Sequence, residues 1–466
     1  MYQALWRRHD RFGTFDWDLG FHTQYVWQLA RGRTFSSLIG LHAFGHNATF
    51  GYFLLLPIAW LGLDIAHTLN LVHTIAAASA VVPVYVLARR RLGAGWPAAA
   101  MAVAYLLHPL AQNMVWETFH PEVVAMPFML GAYVAADARQ WRRYWVLFGV
   151  AILWKPDVAL FLAALGLWIA WRHERRVGLA TTAIAGTWAA VMLLVVVPTF
   201  SGGGTVYGAL YGDLGDSPTE VLQTSVEHPS RLARHVVDAE PVEYGRDLLA
   251  PYGFVALAAP AQLLLAAPQL AVNILPTDTS PRTFDWAPHY QAVPMVALTI
   301  ALVEAVGWLR RRRELLLAPA CAVVLAFGLA TSATWGSLPF SVRWSYFWSE
   351  DGDPLHAAKR TAVATVTNDG GVSAQYLLSA HFAEREVVYT FPVPWVALDN
   401  GAAGTEQREP GDVEWIVLDE TNLDELGRRI EACILDAGTF EEVFRDREIV
   451  VLRRYQDADP EDEECS

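Results

Sequence analysis

About eight apolar stretches between residues 50 and 334 constrain this chain more than any other feature. Most approach the ~20 residues an α-helix needs to cross a hydrocarbon layer of roughly 30 Å. A backbone inside that layer must satisfy its own hydrogen bonds, which favours helices. The expected fold is therefore mostly α, a polytopic transmembrane bundle. Arginine clusters punctuate the stretches at Arg89 to Arg91, Arg139 to Arg143, Arg172 to Arg176 and Arg310 to Arg313. By the positive-inside rule these clusters mark the cytoplasmic face. The remaining unusual polar residues gather opposite: Glu117, His120, Glu122, Lys155, Asp157 and His289. Ionisable groups collected at span ends on one side predict a polar cavity that opens outward.

Composition agrees with this class. Of 466 residues, 54% are hydrophobic and 18% charged, with mean hydropathy +0.25. Charge is shared unevenly. Residues 335–466 hold 27 acidic and 11 basic groups, while residues 1–334 are close to neutral. That acidity belongs to a soluble domain and argues against nucleic acid as a partner. Lysine occurs only at Lys155 and Lys359. An acidic, lysine-poor surface suits high salt and points to a halophilic archaeon; a GC-rich genome is the plainer explanation. Cys321, Cys433 and Cys465 are too scattered to indicate a metal site or a disulfide framework. Met1 to Asp18 has no apolar signal-peptide core, so membrane entry is expected to rely on internal spans.

The chain divides into an outer-face N-terminal segment (1–47), a transmembrane domain (48–334), a small acidic α/β domain (335–456) and a disordered acidic end (457–466). Residues 51–63 are too short to cross upright and read as a re-entrant or interfacial helix. Spans are expected at 66–88, 96–112, 122–137, 143–154, 158–171, 177–199, 290–309 and 314–334, with the C-terminal domain outside. An outer loop fills 200–246. Residues 247–275 carry Pro251, Pro260 and Pro268 and read as a broken hairpin dipping into the bilayer. In the soluble domain, Thr361 to Thr367, Val387 to Thr390, Glu414 to Leu418 and Ile449 to Leu452 read as strands. Leu423 to Ala437 reads as an amphipathic helix.

Several polar motifs have both a chemical and a plain reading. Asp16 and Asp18 lie ahead of a helical stretch, Phe21 to Ala30; either is a candidate general base or simply a helix cap. His46 precedes the short apolar segment, and loop histidines are usually structural. Glu117, His120 and Glu122 place two carboxylates and an imidazole within six residues, a set able to hold a divalent ion or an ion-bound phosphate. Pro121-Glu122 equally suits the first turn of a helix. Lys155 offers a compact cation for a phosphate, or a structural partner for Asp157. His289 and Tyr290 open a span where they can bind a head group or anchor the interface. No cofactor is fixed by these residues, and a divalent cation is the one candidate.

Phe15 to Gly32, Trp116 to Pro127, Leu153 to Gly166, Asn273 with Pro288-His289-Tyr290, and Ala374 to Pro392 together resemble a family of prokaryotic membrane proteins of unknown function grouped with the GT-C glycosyltransferases. The resemblance spans nearly the whole chain. It implies a polytopic enzyme that takes a sugar from a polyprenyl-phosphate carrier at the extracytoplasmic face, with membrane lipids around it. It also implies an acidic base in the first outer loop, where Asp18 matches best and Asp16 second. Lys155, His120 and His289 would then face the carrier phosphate. Two departures stand out. GT-C proteins begin with a span ahead of the acidic loop, which this sequence lacks, so its start lies upstream of Met1 or a helix has been lost. Pro156 stands where the family more often has an acid. Two other classes stay open: a non-catalytic envelope protein binding lipid-linked glycans or a partner, and a transporter. The last is disfavoured by the absence of repeats and of charges deep within spans.

Overall fold

The computed structural model describes residues 1–202, 211–212, 214–215, 217–276, 288–348, 354–367, 370–397, 408–455 and 465. Among the described residues, four helical stretches are long and apolar enough to cross a membrane: Ile65–Leu92, Arg175–Phe200, Pro288–Arg312 and Glu314–Trp335. Their burial differs and sets the architecture. The apolar window of Pro288–Arg312 is 89% buried, against 22% for Arg175–Phe200, so the first is the central post and the second a peripheral helix. Shorter helices Trp96–Leu107, Pro121–Asp137, Trp141–Ile152 and Pro156–Arg172 fill the bundle between them. The expected 96–112 span divides at His108, because Pro109 opens a new helix, Pro109–Trp116, and the His108 ring caps it by accepting from Leu110 N.

Helices Pro156–Arg172 and Arg175–Val191 meet through glycines. A Cβ on Gly178 would lie 2.2 Å from Ala170 N, and one on Gly166 2.4 Å from Thr182 Oγ1. Small residues let helix backbones approach this closely in a membrane. At the arginine-rich end of the bundle, Arg91 donates to Glu304 at 2.8 and 2.7 Å and to Asp137 at 2.5 Å, and Tyr133 adds 3.0 Å to Glu304. Glu304 is thus a charge inside the expected 290–309 span, near its arginine-rich end rather than deep within it. It is tolerated because its oxygens are paired.

The short apolar segment forms a 3-10 turn, Phe50–Leu54, and a single-turn helix, Leu56–Trp60. Phe53, Leu54, Trp60 and Leu61 remain exposed. Gly51 N donates to Leu153 O at 2.8 Å, and a Cβ there would lie 2.3 Å from the Trp154 ring, so this segment seals the turn before Lys155. Residues 247–275 break into short pieces, among them Ala250–Tyr252, Val255–Ala258, Pro260–Leu263 and Ala267–Ile274, as their prolines require. The described residues of the expected outer loop include the short helices Pro218–Glu227, Pro229–Asp238 and Pro241–Leu249, each opened by a proline.

After Trp335 the chain builds a five-stranded sheet. Its strands are β3 (Gly371–Ala374), β4 (Val388–Thr390), β5 (Val413–Asp419), β6 (Phe440–Asp446) and β7 (Ile449–Arg454); β1 (Phe35–Ser36) and β2 (Leu41–His42) form a separate hairpin. The order is β4-β3-β5-β7-β6, with β3 parallel to β4 and β5, and β7 antiparallel to β5 and β6. The segment Thr361 to Thr367, read as a strand, lies mostly in helix His356–Thr365. Its buried residues Ala358, Lys359 and Ala362 fall at helical spacing, and Lys359 Nζ reaches buried Asp419 at 2.8 Å. Tertiary packing overrode the β-branched residues. The cysteines also need correction: Cys433, on helix Glu425–Ala437, is disulfide-bonded to Cys465, 32 residues away. Sequence spacing does not reveal where a chain returns in space. Apart from Cys465, the acidic end 457–466 lies outside the described residues.

Candidate active site

Helix Tyr2–Asp10 leads through Phe15 into a five-residue π turn, Asp16–Gly20, and then helix Phe21–Leu29. The turn sends its two carboxylates to different surroundings. Asp16 is buried and accepts from Thr390 Oγ1 at 2.6 Å, binding the N-terminal segment to strand β4 of the C-terminal sheet. Burial raises its pKa, which the Thr390 hydrogen bond partly offsets. Asp18 keeps a quarter of its side chain exposed, and its Oδ1 lies 3.8 Å from His120 Nε2. Burial and the neighbouring Glu117 carboxylate push Asp18 up to about 7, against the pull of His289 and Arg8.

Glu117 and His120 flank a sharp bend. Thr118 has φ of 86°, unusual for a β-branched residue, and this lets both side chains turn inward. Glu117 is gripped by His289, whose backbone N donates to Oε2 at 2.8 Å and whose Nδ1 lies 2.6 Å from Oε1. Burial raises the Glu117 pKa to about 7. The His120 backbone N donates to His73 Nδ1 at 3.1 Å, and its ring stacks on His289 with centroids 3.8 Å apart. Burial lowers His120 to about 4, so its imidazole is neutral near pH 7 and has a lone pair to offer. One ligand atom from each of Glu117, His120 and His289 falls within 4.8 Å of the others. A carboxylate with two neutral imidazoles suits zinc or another first-row divalent ion.

A second group adjoins the first. Lys155 is buried, with Nζ 2.8 Å from Glu122 Oε1, 3.4 Å from Asp157 Oδ2 and 5.2 Å from the Tyr290 ring centroid. Helices Pro121–Asp137 and Pro156–Arg172 both start here with proline and an acid in the first turn. Their positive ends accompany the Lys155 ammonium. His46 packs against Trp17 and Phe21, and burial brings its pKa to about 3. The structure therefore gathers Asp18, Glu117, His120 and His289, sets Glu122, Lys155, Asp157 and Tyr290 beside them, leaves His46 at the edge, and turns Asp16 away.

Other participants escaped the sequence reading. Arg8 donates to Gly13 O at 2.6 Å and Trp116 O at 2.5 Å, between the Phe15 and Trp116 rings, and its charge reaches Asp18 and Glu117. Nothing in the sequence separates it from Arg7 or Arg11. Buried His22, one helical turn beyond Asp18, meets Phe119 and His120 and hydrogen-bonds Tyr52; its i+4 spacing from Asp18 was the available signal. Asn273, by contrast, was grouped with Pro288-His289-Tyr290 on sequence: it donates to Tyr244 Oη at 3.0 Å and Tyr290 O at 3.1 Å, while Tyr244 donates to Gln291, so these three hold the segment carrying His289.

The apolar helices long enough to cross a membrane, and the bundle they build, define a polytopic membrane protein. Crystal structures of ArnT from Cupriavidus metallidurans resemble it. The form bound to undecaprenyl phosphate matches with a TM-score of 0.53 at 14% identity, covering 98% of each chain. The apo form matches with a TM-score of 0.52 at 14% identity, covering 97% of this chain and 95% of the other. At that identity the likeness establishes the fold. The chain belongs to the family described as "Predicted membrane protein (DUF2079)", whose model matches residues 8–433. No curated protein matches the sequence.

Proposed function

We propose that this protein transfers a sugar from a polyprenyl-phosphate donor to an acceptor hydroxyl on the outer side of the membrane. The supporting observation is the position of Asp18, a partly exposed carboxylate beside Glu117, His120 and His289, in a fold shared with a protein crystallised with undecaprenyl phosphate. In this reading Asp18 accepts the proton of the acceptor hydroxyl. The acceptor oxygen bonds to the anomeric carbon as its bond to the phosphate oxygen breaks, and the electron pair leaves with the polyprenyl phosphate. Lys155 and the N-terminal ends of the two adjoining helices stabilise that departing anion. A divalent cation, if bound, is held by Glu117, His120 and His289 and supplies Lewis-acid charge to the phosphate. The test is an assay of purified full-length protein in lipid vesicles with labelled polyprenyl-phosphate sugars and acceptor glycans. Label moving to acceptor supports the reading; donor binding without transfer to any acceptor would identify a non-catalytic glycan-binding protein.

The reading also places the soluble domain outside the cell membrane. The Cys433–Cys465 disulfide supports this, because such bonds persist in oxidising compartments. In intact cells, a membrane-impermeant maleimide should label these cysteines only after an impermeant reductant is added. Labelling that requires permeabilised cells and no reductant contradicts that placement.

A further inference from the structure

Three histidines far apart in sequence meet where helix Tyr2–Asp10, helix Ile65–Ser79 and the turn Ala380–Phe382 come together. The turn lies in the connection between strands β3 and β4. His9 is buried; its ring stacks on His381 with centroids 4.3 Å apart and meets His67 edge-to-face at 5.0 Å. Aromatic rings close the row. Trp6 stacks on His67 at 3.7 Å, and Phe12 packs on His381 at 4.3 Å and on His356 at 5.7 Å. His9 Nδ1 lies 2.8 Å from Thr14 Oγ1, whereas the buried Nε2 of His381 makes no hydrogen bond among the described residues.

Such a row is stable while its rings are uncharged. Two stacked imidazoliums repel, and a buried charge without an acceptor costs free energy. His381 lines two clefts, of about 500 and 550 Å³. The charged side chains of the first are Arg31, Asp64 and Glu384; those of the second are Arg7, Asp10, Arg11 and Arg360, beside His356. Each carboxylate is already engaged away from the His9–His381 stack. Asp64 accepts from His67 N at 2.8 Å, Glu384 accepts from Ile65 N at 2.9 Å, and Asp10 lies 3.1 Å from His67 Nε2. Burial, reinforced by the adjoining imidazoles, brings His9 down to about 4 and holds His381 well below the usual histidine range. Once exposed, either ring titrates near the ordinary ~6.5. The open state therefore binds more protons than the closed one. Opening is favoured as pH falls below that value, by up to about tenfold per pH unit for each ring.

We propose that His9 and His381 form an acid-released clasp: when their rings take up protons, helix Tyr2–Asp10 parts from the β3–β4 connection. Arg8, which donates to Trp116 O at 2.5 Å, is then withdrawn from the Asp18 cluster. The test is hydrogen–deuterium exchange of the full chain in nanodiscs, corrected for the intrinsic pH dependence of exchange. It follows structure rather than sugar transfer, so it does not depend on the proposed reaction. Between pH ~7 and ~5, protection of residues 2–12 and 376–386 should fall about twentyfold or more, while helix Pro288–Arg312 keeps its protection. His381→Phe stacks but takes no proton, and His9→Gln keeps a polar partner for Thr14; each should flatten the dependence. Asp18→Asn should leave it as in wild type, which separates the clasp from the carboxylates of the site. If one histidine variant is already open at neutral pH, the other carries the comparison. If both are, the wild-type slope decides, and uptake of fewer than about one proton per opening contradicts the clasp. Equal protection at both pH values, a dependence that survives in both histidine variants, or one abolished by Asp18→Asn overturns the proposal.

Discussion

Replacing Asp18 by asparagine is expected to lower sugar transfer by about 10²–10⁴-fold, the range for losing a general base. The change preserves shape and polarity, so expression and donor binding should be little altered. Asp16→Asn should behave differently. Asp16 is buried against Thr390, so its replacement weakens the join to the C-terminal sheet while leaving transfer per folded molecule largely intact. Both variants are measured for initial transfer rate and melting temperature. If Asp16→Asn abolishes transfer and Asp18→Asn does not, the base is Asp16. If both and the double variant remain fully active, no carboxylate of this turn is the base.

The second large effect concerns stability. Lys155 is buried and pairs with Glu122, itself almost sealed from solvent. Lys155→Ala leaves the Glu122 charge without its counter-ion, and breaking a buried pair in this way costs about 3–5 kcal/mol. Asp157, more exposed, is less affected. The variant should melt markedly lower in detergent, and adding Glu122→Gln to Lys155→Met should recover much of the loss. A single variant that melts like wild type would show that water or a rearranged partner already compensates Glu122. In that case Lys155 would act on bound phosphate alone.

The membrane part of the fold was legible because crossing a bilayer demands long apolar helices, and arginines mark where they stop. Proline placed the breaks, as at Pro156 and along 247–275. Helix Glu425–Ala437 showed in its amphipathic period. Strand β3 did not show, since all four of its residues are buried and a two-residue alternation never appears. Thr361 to Thr367 misled for the opposite reason: its β-branched residues mimic a strand, while Lys359 and Asp419 fix a helix on the sheet. Within the site, Glu117, His120 and Glu122 stood out because they are close in sequence. The pairing of Glu117 with His289, separated by 172 residues, depends on how the bundle closes and has no local signature. The same holds for Arg8, which only the folded position of Trp116 distinguishes.

The most direct measurement of the central claim is a cryo-electron microscopy structure of the full chain in nanodiscs with saturating undecaprenyl phosphate and a divalent cation. The account predicts phosphate density bordered by Lys155 and by Glu117, His120 and His289, with the Asp18 carboxylate facing the position the sugar would occupy. Phosphate resolved only elsewhere, or no bound carrier at saturation, would contradict it.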